Sequence, residues 1–429
     1  MEGTLIPLIS ISAAVLFAFG MPILLVIGHW VLWTSVVTDF NLSNISMTLI
    51  EGINVFGLLA LPLFVLTGDV INGAGIAKRL TDFAYSLLGW IRGGLGMSAL
   101  GACGMFAAIS GSNAATTATI GSIMHKEMKE GNYDECFSAA TVAAGGVVGI
   151  IIPPSILLVV YGYLLHLPVG DLFMAGLIPG ALLILGMQIT CMFMAWRNGW
   201  GVINRFRPVE ALRNGARAYL GFVAIGIVLW GIYGGAFSPT ESAAVTVMFG
   251  IVAGTLITRE LSLRALPKIL LASGRITGMI VPLVAMSIVM QQLLSILGAP
   301  QAISSFVTSI GDGYWSVLII CMAMILIAGS LLESVPVTII LAPVLAPIAQ
   351  NLGVDPIHFA IVFVVGTAIG FITPPFGLNL FVASSVTGIS FMRILPSMVP
   401  YLAMLMMVWI VIMLWPELST YLPAISGAG

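Results

Sequence analysis

The sequence predicts an all-α polytopic membrane protein, built as an inverted repeat around two re-entrant helical hairpins. Three observations carry this. Hydrophobic residues make up 59% of the 429-residue chain and charged residues only 7%, against about 25% charged in soluble domains. All 15 lysines and arginines fall on one face once spans are counted. The two halves also align with each other at a shift of about 221 residues.

Composition excludes several classes at once. So few charges cannot cover a soluble fold of 45.1 kDa, and a mean hydropathy of +1.13 fits a bilayer. A net charge of −2 offers no patch for nucleic acid. There is no GxxxxGK[ST] and only four lysines, so the chain does not hydrolyse ATP by itself. An intramembrane enzyme would need a nucleophile–base or metal constellation, and no HExxH, GxSxG or facing aspartate pair occurs. Cys103, Cys136, Cys191 and Cys321 sit singly and read as small core residues; His29, His125, His166 and His358 are equally scattered. A cleavable leader is not expected, because the first basic residue is Lys78.

Apolar stretches predict spans near 5–19, 22–38, 52–72, 134–166, 171–195, 218–234, 240–257, 276–296, 356–386 and 397–415. The stretches 134–166 and 356–386 exceed one straight span, and each carries a Pro-Pro pair that breaks it. Two further pairs, near 93–128 and 313–350, break at clusters of small polar residues rather than at charged loops. They read as re-entrant hairpins. Residues 75–92 set Lys78, Arg79 and Arg92 beside Leu80, Phe83, Leu87, Leu88 and Trp90, a pattern for a helix lying in the interface.

Arg197, Arg205, Arg207, Arg213 and Arg217 crowd the loop 196–217, which the positive-inside rule makes cytoplasmic. Counting outward, both termini fall on the periplasmic side, and the outer loops receive none of the 15 basic residues. In the self-alignment GIIIPPS at 149–155 falls on GFITPPF at 370–376, Gly145 on Gly366 and Asp134 on Asp355. The segment 39–54 lacks Lys and Arg while its equivalent near 258–275 has four; 73–92 has three while its equivalent near 297–312 has none. Equivalent loops thus lie on opposite faces, as in the inverted repeats of alternating-access transporters.

Broken helices supply the chemistry. Each break frees carbonyls, which suit a hard cation, and amides, which suit a carboxylate. The first tip is dense in oxygens (Ser110, Ser112, Asn113, Thr116, Thr117), as sodium requires; the alternative is that these small residues only allow tight packing. Glu333 at the second tip would cost about 2.5–3.5 kcal/mol at midplane. A cation site or proton carrier explains it, and helix capping is the alternative. Asp69 and Glu241 read as interface anchors or caps. No Lys, Arg or His falls in any break, so an anionic substrate would rest on helix N-termini, hydroxyls, Asn379 and bound sodium.

The tip SGSNAATTATIGS, the break GIIIPPS, GAFSPTESAAV at 235–245 and GFITPPFGLNLF at 370–381 together resemble the large membrane subunit of tripartite ATP-independent periplasmic (TRAP) transporters, the DctM-like family. The resemblance spans nearly the whole chain. It implies an elevator-type fold of the ion-transporter superfamily and sodium-driven uptake of an organic acid such as a C4-dicarboxylate or sialic acid. It also implies two partners in the bacterial inner membrane system: a periplasmic substrate-binding protein and a four-helix small membrane subunit, expected here as a separate chain. The alternatives are a stand-alone sodium/dicarboxylate symporter of the divalent-anion family and, remotely, the intramembrane enzyme; the short, charge-poor outer loops favour delivery by a receptor.

Pairing each tip with its own Pro-Pro break places two sodium sites. One takes Ser110, Ser112 and Asn113 with carbonyls near Gly145, Gly149 and Ile152. The other takes Glu333, Ser334 and Val335 with Thr367, Gly370 and Thr373. Substrate is expected between the tips, near Asn113, Ser155, Ser334 and Asn379. The expected division is scaffold at 1–72 and 167–296, arms at 73–92 and 297–312, a mobile transport unit at 93–166 and 313–386, and a C-terminal helix and tail at 387–429.

Overall fold

The computed structural model describes residues 2–201, 206–299, 301–303, 305 and 313–425. Among these residues the chain is helical and carries no strand, and seven helices are long and apolar enough to cross a membrane. Arg205 and most of the second expected arm, residues 300, 304 and 306–312, lie outside the described residues.

The first half runs through α1 (Glu2–Ala18), α2 (Ile23–Val37), α3 (Leu42–Ile53), α4 (Ala60–Gly73) and α5 (Ile76–Leu88), the arm. The first hairpin is α6 (Gly94–Ser110) and α7 (Asn113–Glu130), and the first broken helix is α8 (Glu135–Gly146) and α9 (Ile156–Leu164). After α10 (Val169–Asn198) come α11 (Pro208–Arg217), α12 (Tyr219–Tyr233), α13 (Pro239–Val252) and α14 (Leu266–Ile296). The second hairpin is α15 (Tyr314–Leu331) and α16 (Ser334–Asn351), and the second broken helix is α17 (Pro356–Gly370) and α18 (Leu378–Thr387). Helices α19 (Phe391–Leu414) and α20 (Glu417–Ile425) close the chain. Three helices were not expected: α3, α11 and α20 fall in stretches read as loop or tail.

Local chemistry sets the boundaries. Asp134 accepts from the Phe137 amide at 2.8 Å, and Asp355 accepts from Ile357 and His358 at 2.9 Å each, so the two aligned aspartates cap the two broken helices. Both aligned proline pairs, Pro153-Pro154 and Pro374-Pro375, carry cis bonds. Glu241 closes a capping box with Ser238 at the start of α13, the cap expected of it. Asp69 instead bridges two helices: its Oδ2 accepts from Ser273 on α14 at 2.6 Å. The arm is pinned by Arg79, whose guanidinium meets Glu260 at 2.7 Å.

Packing forms two neighbourhoods. Helix α14 lies against α2, α3 and α4, and α4 against α13. The hairpins lie on their own broken helices, α6 and α7 on α8 and α15 on α17. Helix α10, which sequence reasoning grouped with the scaffold, packs mainly on α6, α17, α19 and α20. Small residues on one of its faces decide this, since Gly176 and Gly180 rest against Ile151 and Ile152 of the first break.

Candidate ion and substrate site

At the first tip, α6 ends at Ser110, Gly111 turns through φ +61°, and Ser112 caps α7 by accepting from Ala115 at 3.4 Å. Ser110 and Thr116 share a hydroxyl hydrogen bond at 3.1 Å. The Ile156 amide donates to the Gly111 carbonyl at 3.4 Å, which joins the tip to its own Pro-Pro break. A Cβ on Gly149 would lie 2.5 Å from the Ser112 carbonyl oxygen and 2.8 Å from the Asn113 nitrogen. Only glycine lets the break come this close.

A polar cluster forms one turn further on. Both amide atoms of Asn113, the Thr117 hydroxyl and the Asn379 Oδ1 are buried without a hydrogen-bond partner. These are four of the ten such side-chain atoms among the described residues. The three residues meet near Gly146: a Cβ there would strike Thr117 Oγ1 and lie 2.9 Å from Asn379 Nδ2 and 3.1 Å from the Asn113 backbone carbonyl oxygen. Asn379 Nδ2 donates to the Ala143 carbonyl at 3.2 Å. A buried polar group left unpaired costs about 1–3 kcal/mol, so four such atoms on three neighbouring residues make this cluster the candidate site. Neutral oxygens and amides are the donor set of a weakly held cation or a polar substrate group.

The expected residues fall into place unevenly. Gly145 turns its Cα toward Cys103 and Leu100, and the neighbouring Gly146 faces the tip instead. Ile152 packs on Gly180 of α10. Ser155 is buried as the cap of α9, its hydroxyl donating to Ile150 and accepting from Leu158. Sequence reasoning missed Gly146 as a site residue, and counted Thr117 among the tip oxygens without placing it in an ion site, though it lies one helical turn from Asn113.

At the second tip, Gly329 and Gly370 bring the backbones of α15 and α17 into contact: a Cβ on Gly329 would lie 3.2 Å from Thr367 Cα. The Phe376 amide donates to the Ser330 carbonyl at 3.1 Å, the counterpart of Ile156 on Gly111. Thr367 and Thr373 donate to the carbonyls of Phe363 and Ile369, both at 2.9 Å, leaving each hydroxyl oxygen free to accept. Glu333 occupies the cap position of α16 but makes no capping bond; it is exposed, while Ser334 and Val335 beside it are buried. The two breaks differ in access. Pro153, Pro154 and Ser155 are buried, whereas Pro374, Pro375 and Phe376 are exposed.

Two tips thus dock on two aligned breaks, in helices whose starts are capped by aligned aspartates. Residues 10–418 match the family described as "Tripartite ATP-independent periplasmic transporter, DctM component". The chain belongs to this family. The DctM relatives include the C4-dicarboxylate TRAP transporter large permease protein of Pseudomonas aeruginosa, 39% identical, covering 90% of this chain and 89% of that protein. The sialic acid TRAP transporter large permease protein of Vibrio cholerae is 32% identical, covering 87% and 88%. Among solved structures, the Alcanivorax borkumensis YdaH transporter superposes with a TM-score of 0.56 at 14% identity, over 88% of this chain and 89% of that one, a likeness of fold. This DctM chain is thus a multi-pass membrane protein and a transporter permease.

Proposed function

We propose that the protein is the transport subunit of a three-part system that couples sodium entry to uptake of an organic acid, of the C4-dicarboxylate or sialic acid class. The observation that carries this is the polar cluster around Gly146, where Asn113, Thr117 and Asn379 carry buried polar atoms without partners. Sodium is bound at the first tip by Ser110, Ser112 and Asn113 with freed carbonyls near Gly145, Gly149 and Ile152. At the second it is bound by Glu333, Ser334 and Val335 with Thr367, Gly370 and Thr373. The acid sits between the tips against Asn113, Ser334 and Asn379, with Ser155 supporting the first break. Paired with sodium, its carboxylate crosses without meeting lipid as a bare charge.

The basic face is cytoplasmic, both termini are periplasmic, and the membrane is the bacterial inner membrane. A periplasmic binding protein delivers the substrate, and a separate small membrane subunit braces the scaffold of α1–α4 and α12–α14. The hairpins and broken helices move as one body, together with α10 and α19, which pack against them. The test is uptake into proteoliposomes containing all three components, screened over organic acids with and without a sodium gradient. Uptake indifferent to sodium sinks the coupling, and uptake without the binding protein sinks the three-part reading in favour of a stand-alone symporter.

A further inference from the structure

Helix α11 is a short amphipathic segment with no role in the site. It bends by 58° into the apolar helix α12, so it lies where the bilayer's basic-face leaflet begins. Its inner side packs on the arm: Ala211 is buried and Gly215 rests on Phe83 of α5. Its outer side carries Val209 and Leu212, 78% and 75% exposed, beside Arg213. Trp90, at the end of the arm, packs on Phe206 with ring centroids 5.8 Å apart and is itself exposed.

A recess of about 610 Å³ opens here, whose lining includes Phe206, Arg207, Val209, Glu210, Arg213 and Arg217. Its charges are only partly matched. Arg207 meets Glu210 at 3.6 Å. Arg217 faces Asp82 on the arm, whose carboxyl is pushed up by burial and drawn down by Lys78, Arg217 and Arg79. Arg213 has no hydrogen-bond or ion-pair partner among the described residues.

We propose that this recess holds the phosphate headgroup of an anionic phospholipid, with Arg213 and Arg217 as its ligands and Val209 and Leu212 seated among its acyl chains. A phosphate group also occurs free in solution, but free phosphate has no use for two fully presented aliphatic side chains, whereas a lipid needs both parts. The bound lipid would tie the arm to the start of α12, since α11 touches α5 on its other side.

The test uses the full chain, purified in detergent and titrated with phosphatidylglycerol or phosphatidylcholine, with retained lipid counted by native mass spectrometry. One arginine near an anionic headgroup is worth about fivefold in binding, so R213Q/R217Q should retain phosphatidylglycerol roughly twenty-five-fold less well, with phosphatidylcholine unchanged. R213K/R217K should restore retention, V209Q/L212Q should weaken both lipids, and millimolar inorganic phosphate should displace neither. Unchanged phosphatidylglycerol retention in R213Q/R217Q overturns the proposal. So does displacement by inorganic phosphate with no effect of V209Q/L212Q, which would mark a free-anion site. Should the double variant lose its thermal unfolding transition, R213Q alone decides: about a fivefold loss supports the site, and none removes it.

Discussion

The side-chain amide of Asn379 donates to the backbone carbonyl of Ala143 at 3.2 Å. A residue from the second broken helix is thereby fixed to the first, 236 positions away in sequence. The polar cluster at the first tip therefore draws residues from both repeats.

Asn379→Leu follows directly. Leucine keeps the number of side-chain heavy atoms but removes the donor to Ala143 and a buried unpaired oxygen. Losing such a buried pair costs about 1–3 kcal/mol. Uptake in proteoliposomes should fall roughly tenfold or more, with the protein still folded by thermal unfolding. Normal uptake would remove Asn379 from the site.

Gly149→Ala tests the close approach at the first break. The added methyl would sit 2.5 Å from the Ser112 carbonyl, so the tip or the break must shift. Overpacking of this kind typically costs about 1–3 kcal/mol. Gly226, where a Cβ meets nothing within 4 Å, is the control. Thermal unfolding should show a lowered midpoint for Gly149→Ala alone; equal midpoints would mean that the tip is not held against Gly149.

Sodium dependence should respond at both tips. Ser112→Ala removes a hydroxyl and the cap on Ala115, while Thr373→Val removes the hydroxyl that donates to Ile369. If each loses one ligand worth about 1.4 kcal/mol, the sodium concentration for half-maximal uptake rises about tenfold. Sodium curves unchanged in both variants would show that the two ion sites are wrongly placed.

Movement of the hairpins past the scaffold can be trapped. A Cβ on Gly68 of α4 would lie 3.3 Å from Ser110 Cβ at the first tip, within reach of a disulfide. In a chain cleared of Cys103, Cys136, Cys191 and Cys321, G68C/S110C should cross-link under oxidation and lose the uptake that S110C alone retains, and reduction should restore it to the S110C level. Full uptake by the cross-linked protein would exclude an elevator motion at this contact.

Sequence alone determined the membrane class, the four helix breaks and the internal repeat. Each is written in short-range chemistry: apolar runs, proline pairs, and aspartates at equivalent helix starts such as Asp134 and Asp355. It also located most of the first tip, because Ser110, Ser112 and Asn113 interrupt an otherwise apolar run. Tertiary structure decided which of these meet. Gly146 rather than Gly145 faces the tip, because the direction of a Cα on α8 depends on how that helix rolls against α6 and α7. Thr117 and Asn379 converge with it because α18 packs on α7 and α8. Helix α10 joins the hairpins because Gly176 and Gly180 fit the first break. Such choices are set by contacts between residues far apart in the chain, and no local period or propensity encodes them.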